Sequence, residues 1–184
     1  LDAAQSRGDA VLLETAVEAL DRGVSDDASS VALTLLGRAL LLNRKPQRAA
    51  AVLLEATTKQ PVDSLAFYHL ADAAEQTANP AVARNALLSY YALEGDPSEV
   101  RRRGQLFQRV ADLSVQMGDM RTAVVWFERA ARTDPSLVDV AFLIRLADAH
   151  WRLGDHAAAR SNAMKALERE PDNQVARALL SRLR

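Results

Sequence analysis

The chain has 184 residues, 49% hydrophobic but only 5% aromatic, and its 23 basic and 24 acidic side chains leave a net charge of −1. So even a balance argues against a nucleic-acid partner, which would call for a basic excess. The absence of cysteine removes disulfides and thiolate metal sites, and leaves cytoplasm and periplasm equally open.

In chain order, the first residue is Leu1, and no signal peptide follows it. Residues Ala3 to Arg7 read as the tail of a helix, so the chain is expected to be part of a longer protein. Val11 to Arg22 reads as the second helix of a hairpin whose first helix is mostly missing. The most apolar tract, Val31 to Leu42, is interrupted by Thr34 and Arg38. It falls short of the roughly 18 apolar residues that span a bilayer, so direct membrane insertion is not expected.

From here on the chain repeats itself. Small residues recur at Gly37, Ala71, Ala111 and Ala147, each after an apolar residue: Leu36, Leu70, Val110 and Leu146. Twelve residues later stand Ala49, Ala83, Ala123 and Ala159, and four beyond those Leu53, Leu87, Phe127 and Ala163. Ala56, Tyr90, Ala130 and Ala166 follow, with Tyr90 the one large exception, and then Pro61, Gly95, Pro135 and Pro171. Successive copies are offset by 34, 40 and 36 residues. A register of small, apolar and helix-breaking positions held four times is the signature of stacked helical hairpins. No single hairpin buries its own apolar face, so each needs its neighbour.

The punctuation agrees. Pro46 and Pro80 suit the first turn of a second helix, where a missing N–H costs little. Pro61, Pro135 and Pro171 restart the chain after a helix. Asp96-Pro97, Asp134-Pro135 and Glu170-Pro171 place acids beside helix N-termini. Gly8-Asp9, Gly118-Asp119 and Gly154-Asp155 read as hairpin turns. The extra residues Ser98 to Arg103 are expected to lengthen the first helix of the third copy, starting at Ser98-Glu99.

This register resembles the tetratricopeptide repeat. The resemblance implies an all-α, right-handed α-solenoid of antiparallel helix hairpins. Four full repeats would occupy 30–63, 64–97, 104–137 and 140–173. A partial repeat and connector would fill 1–29, and a capping helix 174–184. Where the family carries an aromatic on the first helix, this chain has Leu40, Ala74, Ser114 and His150.

Chemistry is sparse. There is no Gly-rich phosphate loop, no nucleophile elbow and no thiol. His150 and His156 are separated by the Gly154-Asp155 turn, and the three histidines read as surface or boundary residues rather than metal ligands. Asp26-Asp27, and Glu168 with Glu170, read as solvated caps and faces rather than acid–base pairs. Arg101-Arg102-Arg103 reads as an exposed face offset by Glu99, and Trp126 as packing. No enzyme activity, cofactor or metal is expected.

The resemblance further implies that first helices line a concave groove. In it would stand Arg38, Tyr68, His69, Asp72, Gln108, Arg109, Asp112, Arg145, Asp148 and Trp151. Asp72, Asp112 and Asp148 form an acidic ladder extended by Glu75, and Tyr68 and Trp151 are candidate aromatic anchors for an extended peptide or partner helix. The competing reading is that Arg109 with Asp112, and Arg145 with Asp148, neutralise each other on their own helices. The Lys/Asn/Arg clamp of the chaperone-tail binders is absent, with only Arg109 and Arg145 matching. The expected function is a protein–protein interaction scaffold for a peptide or partner subunit, with self-association open. The alternatives are a spacer or assembly module of a larger bacterial envelope or polysaccharide-export protein, and a small-molecule or glycan site near Trp151 and Tyr68.

Overall fold

The computed structural model describes residues 10–23, 27–94 and 100–183. Among them are ten α-helices and no strand. They are α1 (Ala10–Gly23), α2 (Ser30–Leu42), α3 (Pro46–Ala56), α4 (Ser64–Gln76) and α5 (Pro80–Glu94). Then come α6 (Val100–Gln116), α7 (Met120–Thr133), α8 (Val140–Leu153), α9 (His156–Arg169) and α10 (Gln174–Arg182), with a short 3-10 turn at Pro135–Leu137. This is the all-α helical-repeat solenoid that the register predicts.

Local chemistry starts and stops each helix. Ser29, Asp63, Asp119, Asp139, Asp155 and Asn173 accept hydrogen bonds from backbone N–H groups of the turn they cap. Each satisfies a donor that the helix itself cannot. Pro46 occupies the first turn of α3, and Pro80 opens α5. Asp134 accepts from Ser136 N at 3.0 Å and from Ser136 Oγ at 2.6 Å. Glu170 does not cap α10: Asn173 takes that place, and Glu170 accepts instead from Asn173 Nδ2 at 2.9 Å. The reason is chain direction, since Pro171 and Asp172 intervene before the helix begins.

Gly118 and Gly154 turn the chain between paired helices with φ of 77° and 88°. At the same point in earlier hairpins Arg44 and Ala78 adopt φ of 55° without a glycine's freedom. The expected turn at Gly8-Asp9, the acid expected beside a helix N-terminus at Asp96-Pro97 and the helix start expected at Ser98-Glu99 lie outside the described residues. From Val100 onward α6 has 17 residues against 13 in α2 and α4, so the first helix of the third copy is indeed longer.

The chain divides into two compact units, Leu1–Gly95 and Asp96–Arg184. In the first, α2 packs on α3, α3 on α4 and α4 on α5, while the first helices α2 and α4 also touch. In the second, α6 packs on α7, α7 on α8, α8 on α9 and α9 on α10.

Why these helices pack so closely is visible in the small residues. Ala49, Ala83, Ala123 and Ala159 are all fully buried, as are Ala71, Ala111 and Ala147. Beside them Leu53, Leu87, Phe127 and Ala163 are buried to the same degree. Small side chains let backbones approach, and the larger ones fill the space left between them. Gly37 is the tightest case: a Cβ there would lie 2.3 Å from Leu53 Cγ. In the second unit Phe127 of α7 meets Phe142 of α8 edge to face, with ring centroids 5.3 Å apart. Tyr90, the exception to the register, is half-buried, and its ring meets Tyr68 at 5.2 Å.

Leu40, Ala74, Ser114 and His150, which stand where the family has an aromatic, are all buried. That corrects the reading of His150 as a surface or boundary residue. It is only 6% exposed, with Nδ1 3.5 Å from Asp155 Oδ2 and Nε2 4.0 Å from Glu128 Oε1. His69 is half-buried and His156 exposed. Arg102 is exposed, but Arg103 is half-buried, so the arginine run is not uniformly a solvated face. The side chain of Arg101, together with Glu99 and Asp26, lies outside the described residues. Asp27, Glu168 and Glu170 are exposed. Trp126 is half-buried against Phe107, with centroids 5.1 Å apart, and Arg129 lies over both rings.

Candidate functional site: clefts along the first helices

All ten residues assigned to the groove are half-buried in the folded chain. They sit on the first helices because the opposite face of each such helix is committed to Ala, Leu and Phe contacts in the core. Six of the ten line clefts, three in each unit.

In the first unit, Arg38, His69 and Asp72 line a cleft of about 400 Å³ between α2 and α4. Leu41, Leu42, Glu75 and Gln76 complete it. His69 Nδ1 stands 3.5 Å from Asp72 Oδ2, one turn along the same helix. Tyr68 does not line this cleft. Its ring lies edge-on between His69, at 5.7 Å, and Tyr90, at 5.2 Å.

The second unit holds a larger cleft of about 640 Å³. From α6 it takes Asp112, Val115 and Gln116, and from α8 Ile144, Arg145 and Asp148. Its third wall is α10, through Val175, Ala178, Leu179 and Arg182. Gln108, Arg109 and Trp151 do not line it. Trp151 packs against the buried cluster of Ala147, Ala159, Ala163, Leu179 and Leu183, and Arg182 lies 5.5 Å over its ring. Its indole is engaged in holding α10 to the hairpin of α8 and α9.

Arg145 is paired differently from the same-helix expectation. Arg145 Nη1 bonds Asp112 Oδ2 at 2.7 Å, across from α8 to α6. Asp148, left by Arg145, faces Arg152 at 3.9 Å on its own helix. A guanidinium that can reach a carboxylate on the neighbouring helix gains a short charge-assisted bond in a partly desolvated wall, which is worth more than an exposed pair on one helix. The arrangement is a cleft with an aliphatic floor and fixed charges at its edges.

Among the described residues, no group of three or more His, Cys, Asp or Glu could hold a metal ion. No described helix is long and apolar enough to cross a membrane.

The residues of α10 escaped the sequence reading, which treated that helix as a cap. The signal was present: Val175, Ala178, Leu179 and Arg182 each stand 34 residues after Ala141, Ile144, Arg145 and Asp148.

Solved structures share this architecture. A crystal structure of MamA protein superposes with a TM-score of 0.71 at 20% identity, over 92% of this chain and 87% of that one. MamA 41-end from Desulfovibrio magneticus RS-1 gives 0.68 at 18% identity, over 94% of this chain and 92% of that one. A chain of the APC/C hetero-tetramer Cut9-Hcn1 gives 0.60 at 13% identity, over 85% of this chain and 30% of that one. At such identities the likeness is one of fold. No curated protein matches this sequence. Models described as Tetratricopeptide repeat match residues 1–64 and 34–99, and again 140–173. With its repeated small residues buried between paired helices, this chain belongs to the tetratricopeptide repeat family.

Proposed function

We propose that this chain is a protein-interaction scaffold whose first-helix clefts receive a peptide or a segment of a partner subunit. Membership of the tetratricopeptide family supports the scaffold role. The observation that carries the finer reading is the cleft of the second unit, where Asp112, Arg145 and Asp148 border an aliphatic surface made by Val115, Ile144 and Val175. Aliphatic surface supplies affinity on burial, and charges at its edge supply register. The repeat boundaries at 30–63, 64–97, 104–137 and 140–173 form part of the same proposal.

A photo-reactive amino acid placed at Ile144, and separately at Met164 on the exposed face of α9, tests this in the native host. Covalent adducts from Ile144 and none from Met164 are the expected result. Adducts from Met164 alone would transfer the interface to the second helices. That outcome is the one a spacer or assembly module predicts, because Leu54, Val125 and Met164 expose apolar surface there.

A further inference from the structure

We infer that α10 is a third groove helix of the second unit rather than a cap alone, and that Arg182 makes the cleft of that unit select a carboxylate-bearing aliphatic segment. This rests on the cleft reading above and names the partner chemistry of that site. The first support is the register. Arg182 stands 34 residues after Asp148, which stands 36 after Asp112. α10 thus presents to the cleft the positions that α8 presents through Ile144, Arg145 and Asp148, and shares with α6 the last of them, where Arg182 reverses the sign of Asp112 and Asp148.

The second support is the charge pairing. Asp112 is matched by Arg145 at 2.7 Å, and Asp148 by Arg152 at 3.9 Å. Arg182 lines the cleft and lies over the Trp151 ring, and among the described residues no carboxylate stands within ion-pairing distance of it. The nearest acidic pairing on its helix, Asp172 with Arg177 at 2.8 Å, belongs to the other end. Stacking on the indole limits the guanidinium's rotamers, so less freedom is lost when it meets an anion. Both carboxylates of the cleft have cationic partners, so the charge left to complement is one positive group beside an aliphatic floor of Ile144, Val175 and Leu179. A segment with aliphatic side chains and one Asp or Glu fits that demand; a basic segment does not.

The probes are short blocked peptides of leucine and alanine with a single central glutamate, glutamine or lysine, labelled and titrated with the whole chain by fluorescence polarisation. The glutamate peptide is expected to bind about fivefold more tightly than the glutamine one, the scale of an exposed ion pair, with the lysine peptide weakest. Arg182→Gln should erase the difference between the glutamate and glutamine peptides, and Arg182→Lys should restore most of it. A preference that survives Arg182→Gln, or a preference for lysine, overturns the role of Arg182 and leaves cleft binding standing. Failure of the wild-type chain to bind any of the three overturns the cleft reading and this inference with it. Unchanged helicity of the variants by circular dichroism keeps loss of α10 from mimicking either result.

Discussion

Arg145 of α8 reaches back to Asp112 of α6, with Nη1 2.7 Å from Oδ2, and passes over Asp148 on its own helix. The pair ties two first helices of the second unit together along one wall of its cleft. With side chains 39% and 30% exposed, it is partly screened by solvent. A double-mutant cycle on Asp112→Asn and Arg145→Gln should therefore give a coupling of about 0.5–1 kcal/mol by urea denaturation. The same cycle on Arg145 and Asp148 should give a coupling near zero. Equal coupling in the two cycles would mean that the same-helix pairing persists in solution.

At Gly37 the backbone of α2 packs tightly against the Leu53 side chain of α3. Gly37→Ala would set a Cβ 2.3 Å from Leu53 Cγ, and overpacking of this kind costs about 1–3 kcal/mol. Leu53→Ala removes the obstructing atoms, so in that background Gly37→Ala should be neutral or mildly stabilising. Simple additivity of the two substitutions in a denaturation series would refute the contact.

The hairpin turns make opposite predictions at equivalent points. Ala78 holds φ of 55°, a conformation that costs an L-residue about 1–2 kcal/mol. Ala78→Gly relieves that strain and loses part of the gain to the greater freedom of the unfolded glycine, for a net stabilisation of about 0.5 kcal/mol. Gly154→Ala, at φ of 88°, should destabilise by about 1 kcal/mol. Thermal melts followed at 222 nm would check both signs, and a drop in Tm for Ala78→Gly would exclude the strain.

Phe127 joins adjacent hairpins through Phe142 and is fully buried. Phe127→Ala should cost about 3–5 kcal/mol in the second unit. Phe127→Leu, which keeps most of the volume, should cost less than half as much. Comparable losses for both would assign the effect to the ring contact itself rather than to the cavity.

Much of this protein could be read without coordinates. The small residues at Gly37, Ala71, Ala111 and Ala147, and their counterparts from Ala49 to Ala159, announced paired helices because close helix packing admits little else at a fixed spacing. Pro46, Pro80, Gly118 and Gly154 marked the turns for equally local reasons, since each acts through its own φ angle or missing donor. The half-burial of the ten residues expected in a groove follows from the same periodicity: fixing the core face of a helix fixes the opposite face too.

What only the tertiary structure decided are relations between helices. Whether Arg145 pairs with Asp148 on its own helix or with Asp112 on the next depends on interaxial distance and side-chain reach, which sequence spacing does not contain. Trp151 could be placed on a first helix by register, yet its engagement with Leu179, Leu183 and Arg182 depends on how α10 docks. The same docking turns a terminal helix from a lid over Ala159 and Ala163 into the third wall of a cleft. Burial at one position is a property of a repeat, and so the sequence alone determined the fold. Pairing across helices is a property of their packing, and so the composition of the site waited on the tertiary structure.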